Sequence, residues 1–161
     1  MQKYIVFDID GTLSLLGDRK KCLEKGNWVE FYQRCDEDTP NRNIIYLLNM
    51  LIHSAYCVSL QPIFCTGRSQ YEGVVEKTIA WLEENTAFST MYFRQEIILN
   101  FNLFMRKAGD IRPDVIVKPE LLKNAGILPK DTISIFEDRN KMVQKWRELG
   151  YTCVQVAEGD F

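Results

Sequence analysis

The sequence predicts an α/β fold, a Rossmann-like parallel sheet flanked by helices, and three observations carry that prediction. Short apolar runs recur along the chain, segments of helical apolar periodicity separate them, and a polar stretch follows the first run as an insertion. Strand alternating with helix calls for parallel strands joined by helical crossovers, with ligands bound beyond the carboxyl ends of the strands. At 161 residues and 46% hydrophobic content the chain can bury a core without staples, so one domain over residues 1–161 is expected.

The elements follow in order. Tyr4 to Ile9 is an apolar run closed by acidic residues and Gly11, as suits a buried strand that stops at the edge of its sheet. Residues 14–38 are read as a small cap insertion; the part from Asp18 to Asp38 is mostly polar but carries Trp28, Phe31 and Tyr32, which points to short helices. After Thr39-Pro40, the positions Ile44, Ile45, Leu47, Leu48, Leu51 and Ile52 mark a helix. Ser59 to Cys65 reads as a strand, Val74, Val75, Ile79 and Leu82 as a helix, then Thr90 to Phe93 and Thr132 to Phe136 as strands. Met142, Val143, Trp146 and Leu149 mark a last helix closed by Gly150, and Thr152 to Val156 a last strand. Trp81 and Trp146 sit at helical spacing with other apolar residues and are expected in the core, and His53, in an apolar helix, is expected to be structural.

Composition excludes several classes. Lys and Arg number 20 against 22 Asp and Glu, a formal net charge of -2, so any contact with a polyanion must be local. The five cysteines, Cys22, Cys35, Cys57, Cys65 and Cys153, are scattered, show no zinc spacing, and read as buried or free thiols of a reducing compartment. The start, MQKYIVFDIDG, lacks a charged region feeding a long apolar stretch, and no segment is long enough to span a bilayer; a soluble, cytoplasmic protein without membrane partners is expected.

The chemistry concentrates in Asp8-Ile9-Asp10-Gly11-Thr12. Residues two apart on extended backbone point the same way, so Asp8 and Asp10 can present two carboxylates to one pocket, and Gly11 permits a sharp turn. Two like charges so close call for a counterion, and a hard divalent cation such as Mg²⁺ fits oxygen ligands. Glu137-Asp138 closes the Thr132 to Phe136 strand in the same manner, Thr66-Gly67-Arg68 closes the strand between, and Lys118 precedes the acidic pair. Four segments can thus converge on one crevice.

These residues, in this order, resemble the haloacid dehalogenase (HAD) superfamily. The resemblance implies that Asp8 is a nucleophile forming an aspartyl-phosphate and that Asp10 is general acid, then base. It places Mg²⁺ on Asp8, the Asp10 carbonyl and Asp138, with Glu137 behind them or acting through water; Thr66 hydrogen-bonds the phosphoryl group and Lys118 neutralises its charge. The likeness narrows to the 3′-phosphatase domains of phage polynucleotide kinase through Asp-Gly-Thr-Leu running on to Arg19, Arg34-Cys35-Asp36, Gly67-Arg68, Asp110-x-Arg112-x-Asp114-x-x-x-Lys118, Asp138-Arg139, and the tail from Trp146-Arg147 to Gly159-Asp160-Phe161. That branch implies Arg19, Gly67, Arg68 and Asp114 as substrate-binding residues, and nucleic-acid 3′-phosphate ends or nucleotides as substrate. Two departures stand out: the acidic pair is Glu-Asp where Asp-Asp is usual, and no GxxxxGK[ST] loop is present, so no kinase domain is expected in this chain.

Aromatic residues Phe88, Tyr92, Phe93, Phe101 and Phe104 interleave with Arg94, Arg106, Lys107 and Arg112, which could stack a terminal base and hold a phosphate, or form an ordinary amphipathic segment. Three other functions compete with end processing: a nucleotidase or other small-molecule phosphatase, a phosphotransferase, and a non-catalytic end-binding module. The intact Asp8, Asp10, Lys118 and Asp138 argue against the last.

Overall fold

The computed structural model describes residues 2–54, 59–87 and 103–159. Five parallel strands make one sheet: β1 (Lys3–Phe7), β4 (Leu60–Ser69), β5 (Leu103–Arg106), β6 (Thr132–Arg139) and β7 (Cys153–Gly159). A two-stranded antiparallel pair, β2 (Ser14–Leu15) with β3 (Thr39–Pro40), stands apart from it. The sheet order β5-β4-β1-β6-β7 places β1 at the centre, where the chain first builds to one side and later to the other. That reversal opens the crevice in which such sheets bind ligands, at the ends of β1 and β6.

Strand alternation assigns the two faces. Ile5 and Phe7 of β1, Phe64 of β4 and Phe136 of β6 join a core with helices α3 (Arg42–Ser54) and α4 (Val74–Asn85), through Leu48, Ile52, Trp81 and Leu82. Phe7 and Phe136 stack at 4.6 Å. The intervening Val6, Ile63, Cys65 and Ile135 face the other way, against α5 (Asp114–Asn124) and α6 (Asn140–Glu148), where Leu122, Met142, Val143 and Trp146 complete a second core. Burial on both faces is why these strands read as continuous apolar runs. The turn after β1 is tight: the amides of Leu13 and Ser14 both donate to the Ile9 carbonyl at 2.9 Å, and Gly11 takes φ 89°.

The insertion holds a 3₁₀ turn (Gly17–Arg19) and two short helices, α1 (Lys20–Glu24) and α2 (Trp28–Gln33). Asn27 caps α2, accepting from the Glu30 amide at 3.2 Å while its own amide donates to the Glu30 carboxylate. Leu16, Cys22, Phe31, Tyr32 and Cys35 pack on Val74 and Met105, fixing this cap over the carboxyl end of the sheet.

Most expected elements are present, with three strands running further than the apolar runs: β4 to Ser69, β6 to Arg139 and β7 to Gly159. β5, at Leu103–Arg106, lies inside the stretch read as an aromatic–basic segment, while the strand expected at Thr90 to Phe93 falls outside the described residues. Trp81 and Trp146 are buried as expected, and so are Cys22, Cys35, Cys65 and Cys153 as free thiols; Cys57 is outside the described residues. His53 lies exposed on the last turn of α3. No helix among the described residues is long and apolar enough to cross a membrane.

Candidate active site

Two breaks in strand register occur where site residues sit, between Thr66 and Ser69 on β4 and between Glu137 and Arg139 on β6. Such irregularities re-aim side chains at a sheet's rim. The result is three groups of charge around one crevice of roughly 640 Å³ between sheet and cap, lined by Asp8, Asp10, Gly67, Asp114 and Lys118 among others.

The first group is built on β1, β6 and α5. The Lys118 ammonium, 1% exposed, donates to Asp8 at 2.7 Å and to Glu137 at 2.9 Å. Asp138 joins them, and one carboxylate oxygen from each of Asp8, Glu137 and Asp138 lies within 4.8 Å of the others. Burial, and then the neighbouring Glu137, push Asp8 well above the ordinary carboxylate range against the pull of Lys118. Burial and Asp8 push Asp138 up to about 7. Burial alone would drive the Lys118 ammonium to lose its proton, but Asp8 and Glu137 outweigh it and raise its pKa. With one cation among three buried carboxyl groups, ionisation of all three would leave negative charge uncompensated. Asp138 Oδ1 is buried and has no hydrogen-bond partner among the described residues. Space for Asp138 comes from two glycines: a Cβ on Gly11 would lie 2.1 Å from its Oδ2, and one on Gly159 2.7 Å.

The second group surrounds Asp10. Arg68 donates to it through Nε at 3.0 Å and Nη2 at 2.8 Å, and Arg19 through Nη2. Both guanidinium groups also reach Asp38, which accepts from Ser14 Oγ at 2.7 Å. Burial works to raise the Asp10 pKa, but Arg68 and Arg19 outweigh it and hold the carboxyl far below the ordinary range. Arg19 and Arg68 are 2% and 0% exposed and do not line the crevice. Their forks are occupied by Asp10 and Asp38. Thr66 is likewise fully buried, its hydroxyl accepting from the Arg68 amide at 3.2 Å.

The third group holds Asp114 at the start of α5, where Arg106 and Arg139 both donate to its carboxylate. Gly67 is required beside it, since a Cβ there would lie 2.7 Å from Asp114 Oδ1, and its carbonyl accepts from Arg106 Nε at 3.0 Å. Arg106 lines the crevice while donating to Asp114 and the Gly67 carbonyl, and Phe104 packs against the second core. Of the stretch expected to stack a base or to form an ordinary amphipathic segment, Phe88, Tyr92, Phe93, Arg94 and Phe101 fall outside the described residues. Asp38, and the part of Arg106 and Arg139 in holding Asp114, were not among the expected site residues. Nothing local separates Asp38 from its exposed neighbours Asp36 and Glu37.

Known proteins resemble this chain over most or all of its length. The family model described as polynucleotide kinase PNKP phosphatase domain matches residues 2–161. A protein of Autographa californica nuclear polyhedrosis virus, named for a bifunctional polynucleotide kinase/RNA ligase, is 27% identical over 145 residues, 90% of this chain and 18% of that protein. The structure of the Pnkp1/Rnl/Hen1 RNA repair complex contains a chain 29% identical to this one with a TM-score of 0.71, covering 100% of this chain and 44% of that one. This chain therefore spans less than half the length of these relatives. An L-2-haloacid dehalogenase from Xanthobacter autotrophicus shares the fold at a TM-score of 0.59 and 13% identity, over 97% of this chain and 78% of that one.

Proposed function

The chain belongs to the family of polynucleotide kinase PNKP phosphatase domains, and from that premise we propose that this phosphatase is magnesium-dependent and removes 3′-phosphates from nucleic-acid ends through an aspartyl-phosphate on Asp8. The observation that carries the reading is the buried Asp8–Lys118–Glu137–Asp138 cluster opening on the crevice, with Asp10 held separately by two arginines.

In the first half-reaction an Asp8 oxygen bonds to phosphorus as the bond to the ribose oxygen breaks, and Asp10 protonates that leaving oxygen. A carboxyl clasped by two guanidinium groups gives up its proton, so for this step Asp10 must turn from Arg19 and Arg68 toward the incoming phosphate dianion, which favours the protonated form. In the second half-reaction Asp10, returned to its arginines as a carboxylate, accepts a proton from the water that attacks phosphorus. The bond to Asp8 then breaks and inorganic phosphate leaves. Arg19 and Arg68, joined by Asp38, position Asp10 between these tasks, and Lys118 neutralises charge on Asp8 and the phosphoryl group. Asp114, fixed by Arg106 and Arg139, stands at the crevice wall beside Gly67 for the substrate side.

The donors fit Mg²⁺: all are hard oxygens, they outnumber the cation present, and Asp138 Oδ1 lacks a partner. Asp8, Asp138 and the Asp10 carbonyl would hold the ion, Glu137 staying with Lys118, and the bound ion supplies counter-charge for the phosphoryl oxygens. Removal by EDTA is expected to abolish turnover, and added Mg²⁺ to restore it and raise the melting temperature of the wild type but not of Asp138→Asn. Full activity after exhaustive chelation would sink the metal assignment.

Substrate choice is tested by kcat/KM on a 3′-phosphorylated oligonucleotide, a 5′-phosphorylated one, and 3′- and 5′-mononucleotides. A preference for the 3′-phosphorylated end is expected; a preference for 5′-mononucleotides would make this a nucleotidase. Asp10→Asn is expected to lose about 10²- to 10⁴-fold, most on poor leaving groups. Because Arg19 and Arg68 act through Asp10, Arg68→Ala should lose activity by a similar factor on oligonucleotide and mononucleotide alike; a loss confined to oligonucleotides would return these arginines to substrate binding.

A further inference from the structure

Part of the crevice lining is left unused by the phosphoryl chemistry. Along its cap side runs a ladder of aromatic rings: Tyr71 against Tyr32 (centroids 6.1 Å), Tyr32 against Phe31 (5.6 Å), and Trp28 against Phe31 (6.0 Å) and Tyr32 (6.3 Å). The ladder begins at the acid–base group, since the Arg19 guanidinium that holds Asp10 lies 4.1 Å from the Phe31 centroid. Phe31 and Tyr32 are buried, whereas Trp28, at the end of the ladder, is 53% exposed. On the loop between β5 and α5, Ile111 is 93% exposed and lines the same crevice.

Isolated exposed apolar side chains are ordinary. Two of the larger ones lining a single cleft that also contains reactive carboxylates are a different matter, because a ligand settling there gains apolar burial and orientation together. Lys20, Arg112 and Lys141 line the crevice as well, alongside the acids Glu24 and Asp110; Asp110 and Glu120 bind Arg112. An occupant with a flat apolar face flanked by anions matches this lining, which describes a nucleotide.

We propose that Trp28 and Ile111 seat the nucleobase of the terminal nucleotide whose 3′-phosphate reaches Asp8, with Lys141 meeting the next phosphate of the strand. This rests on the 3′-end reading above and names its base subsite. Stacking on an aromatic ring tolerates any base, since every base has a π-face, so the site selects an end without selecting a sequence.

The test compares kcat/KM for two 3′-phosphorylated oligonucleotides that differ only in the last residue, one carrying its base and one abasic, in the wild type, Trp28→Ala and Trp28→Phe. Because each enzyme is its own reference, partial loss of folded protein cancels from the ratio. The wild type is expected to favour the base-bearing end roughly ten- to hundredfold, Trp28→Ala to show a ratio near one, and Trp28→Phe to keep most of the preference. If Trp28→Ala keeps the wild-type ratio, or the wild type processes both ends equally, the base seat is overturned while the 3′-phosphatase reading stands. If the wild type cleaves 5′-mononucleotides but neither oligonucleotide, the 3′-end reading fails and takes the base seat with it.

Discussion

Asp8→Asn is expected to abolish turnover, by at least about 10⁴-fold on every phosphoester, while the protein stays folded. An amide cannot displace the leaving oxygen to form an acyl-phosphate, so no substrate can bypass the defect. The fold should tolerate the change for an electrostatic reason. Asp8 is one of three buried carboxyl groups around the single Lys118 ammonium, and burial together with Glu137 already disfavours its charged form. Asparagine keeps an oxygen that can accept from Lys118 and removes a share of the repulsion, so the melting temperature should be unchanged or higher. The check is turnover, thermal melting, and acid quenching of wild type during turnover of a phosphate-labelled substrate, which should leave label on the peptide containing Asp8. A folded Asp8→Asn protein with near wild-type activity would falsify the covalent mechanism.

What could be read from the sequence, and what could not, divides along the range of the interactions involved. The strands β1 and β6 announce themselves because burial on both faces demands consecutive apolar residues, and their acidic ends mark the sheet's functional rim. Helices α3 and α6 follow from apolar periodicity. The polar architecture is another matter: Lys118 reaches Asp8 across 110 positions, Arg68 reaches Asp10 across 58, and Arg19 reaches Asp38 across 19. No local pattern encodes such pairs, so buried Asp38 looks like its exposed neighbours and buried Arg106 like a surface cation. The family resemblance placed Arg19 and Arg68 against substrate; in the structure both donate to Asp10. The acidic pair is a similar case. Glu137 and Asp138 are adjacent in sequence, yet Glu137 binds Lys118 whereas Asp138 Oδ1 has no partner among the described residues. The longer glutamate is the ammonium's partner, which leaves the aspartate as the candidate metal ligand.

Lys118→Met should produce the largest loss of stability among single changes at the site. Methionine matches the lysine stem in volume but supplies no charge, and removing one partner of a buried ion pair costs about 3–5 kcal/mol because its counter-charges stay buried. For a domain of this size that corresponds to a fall in melting temperature on the order of 10 °C. The pH dependence carries the diagnosis. In the wild type the raised Lys118 pKa keeps its contribution intact throughout neutral pH, since that contribution is lost only as pH rises through the folded value. In the variant, Asp8, Glu137 and Asp138 have folded pKa values raised above their unfolded ones with no ammonium to pull them back. Between roughly pH 4 and those raised values the folded state binds more protons than the unfolded state, so stability falls as pH rises. The deficit relative to wild type should therefore be modest at pH 5 and large at pH 8, and Mg²⁺ should recover part of it at pH 8, where the carboxylates are free to bind. Melting curves of both proteins at pH 5, 6.5 and 8, with EDTA and with Mg²⁺, measure all three effects. A deficit that is small, or the same at every pH, would mean that Lys118 serves packing there rather than charge, and its place in phosphoryl transfer would lose its physical basis.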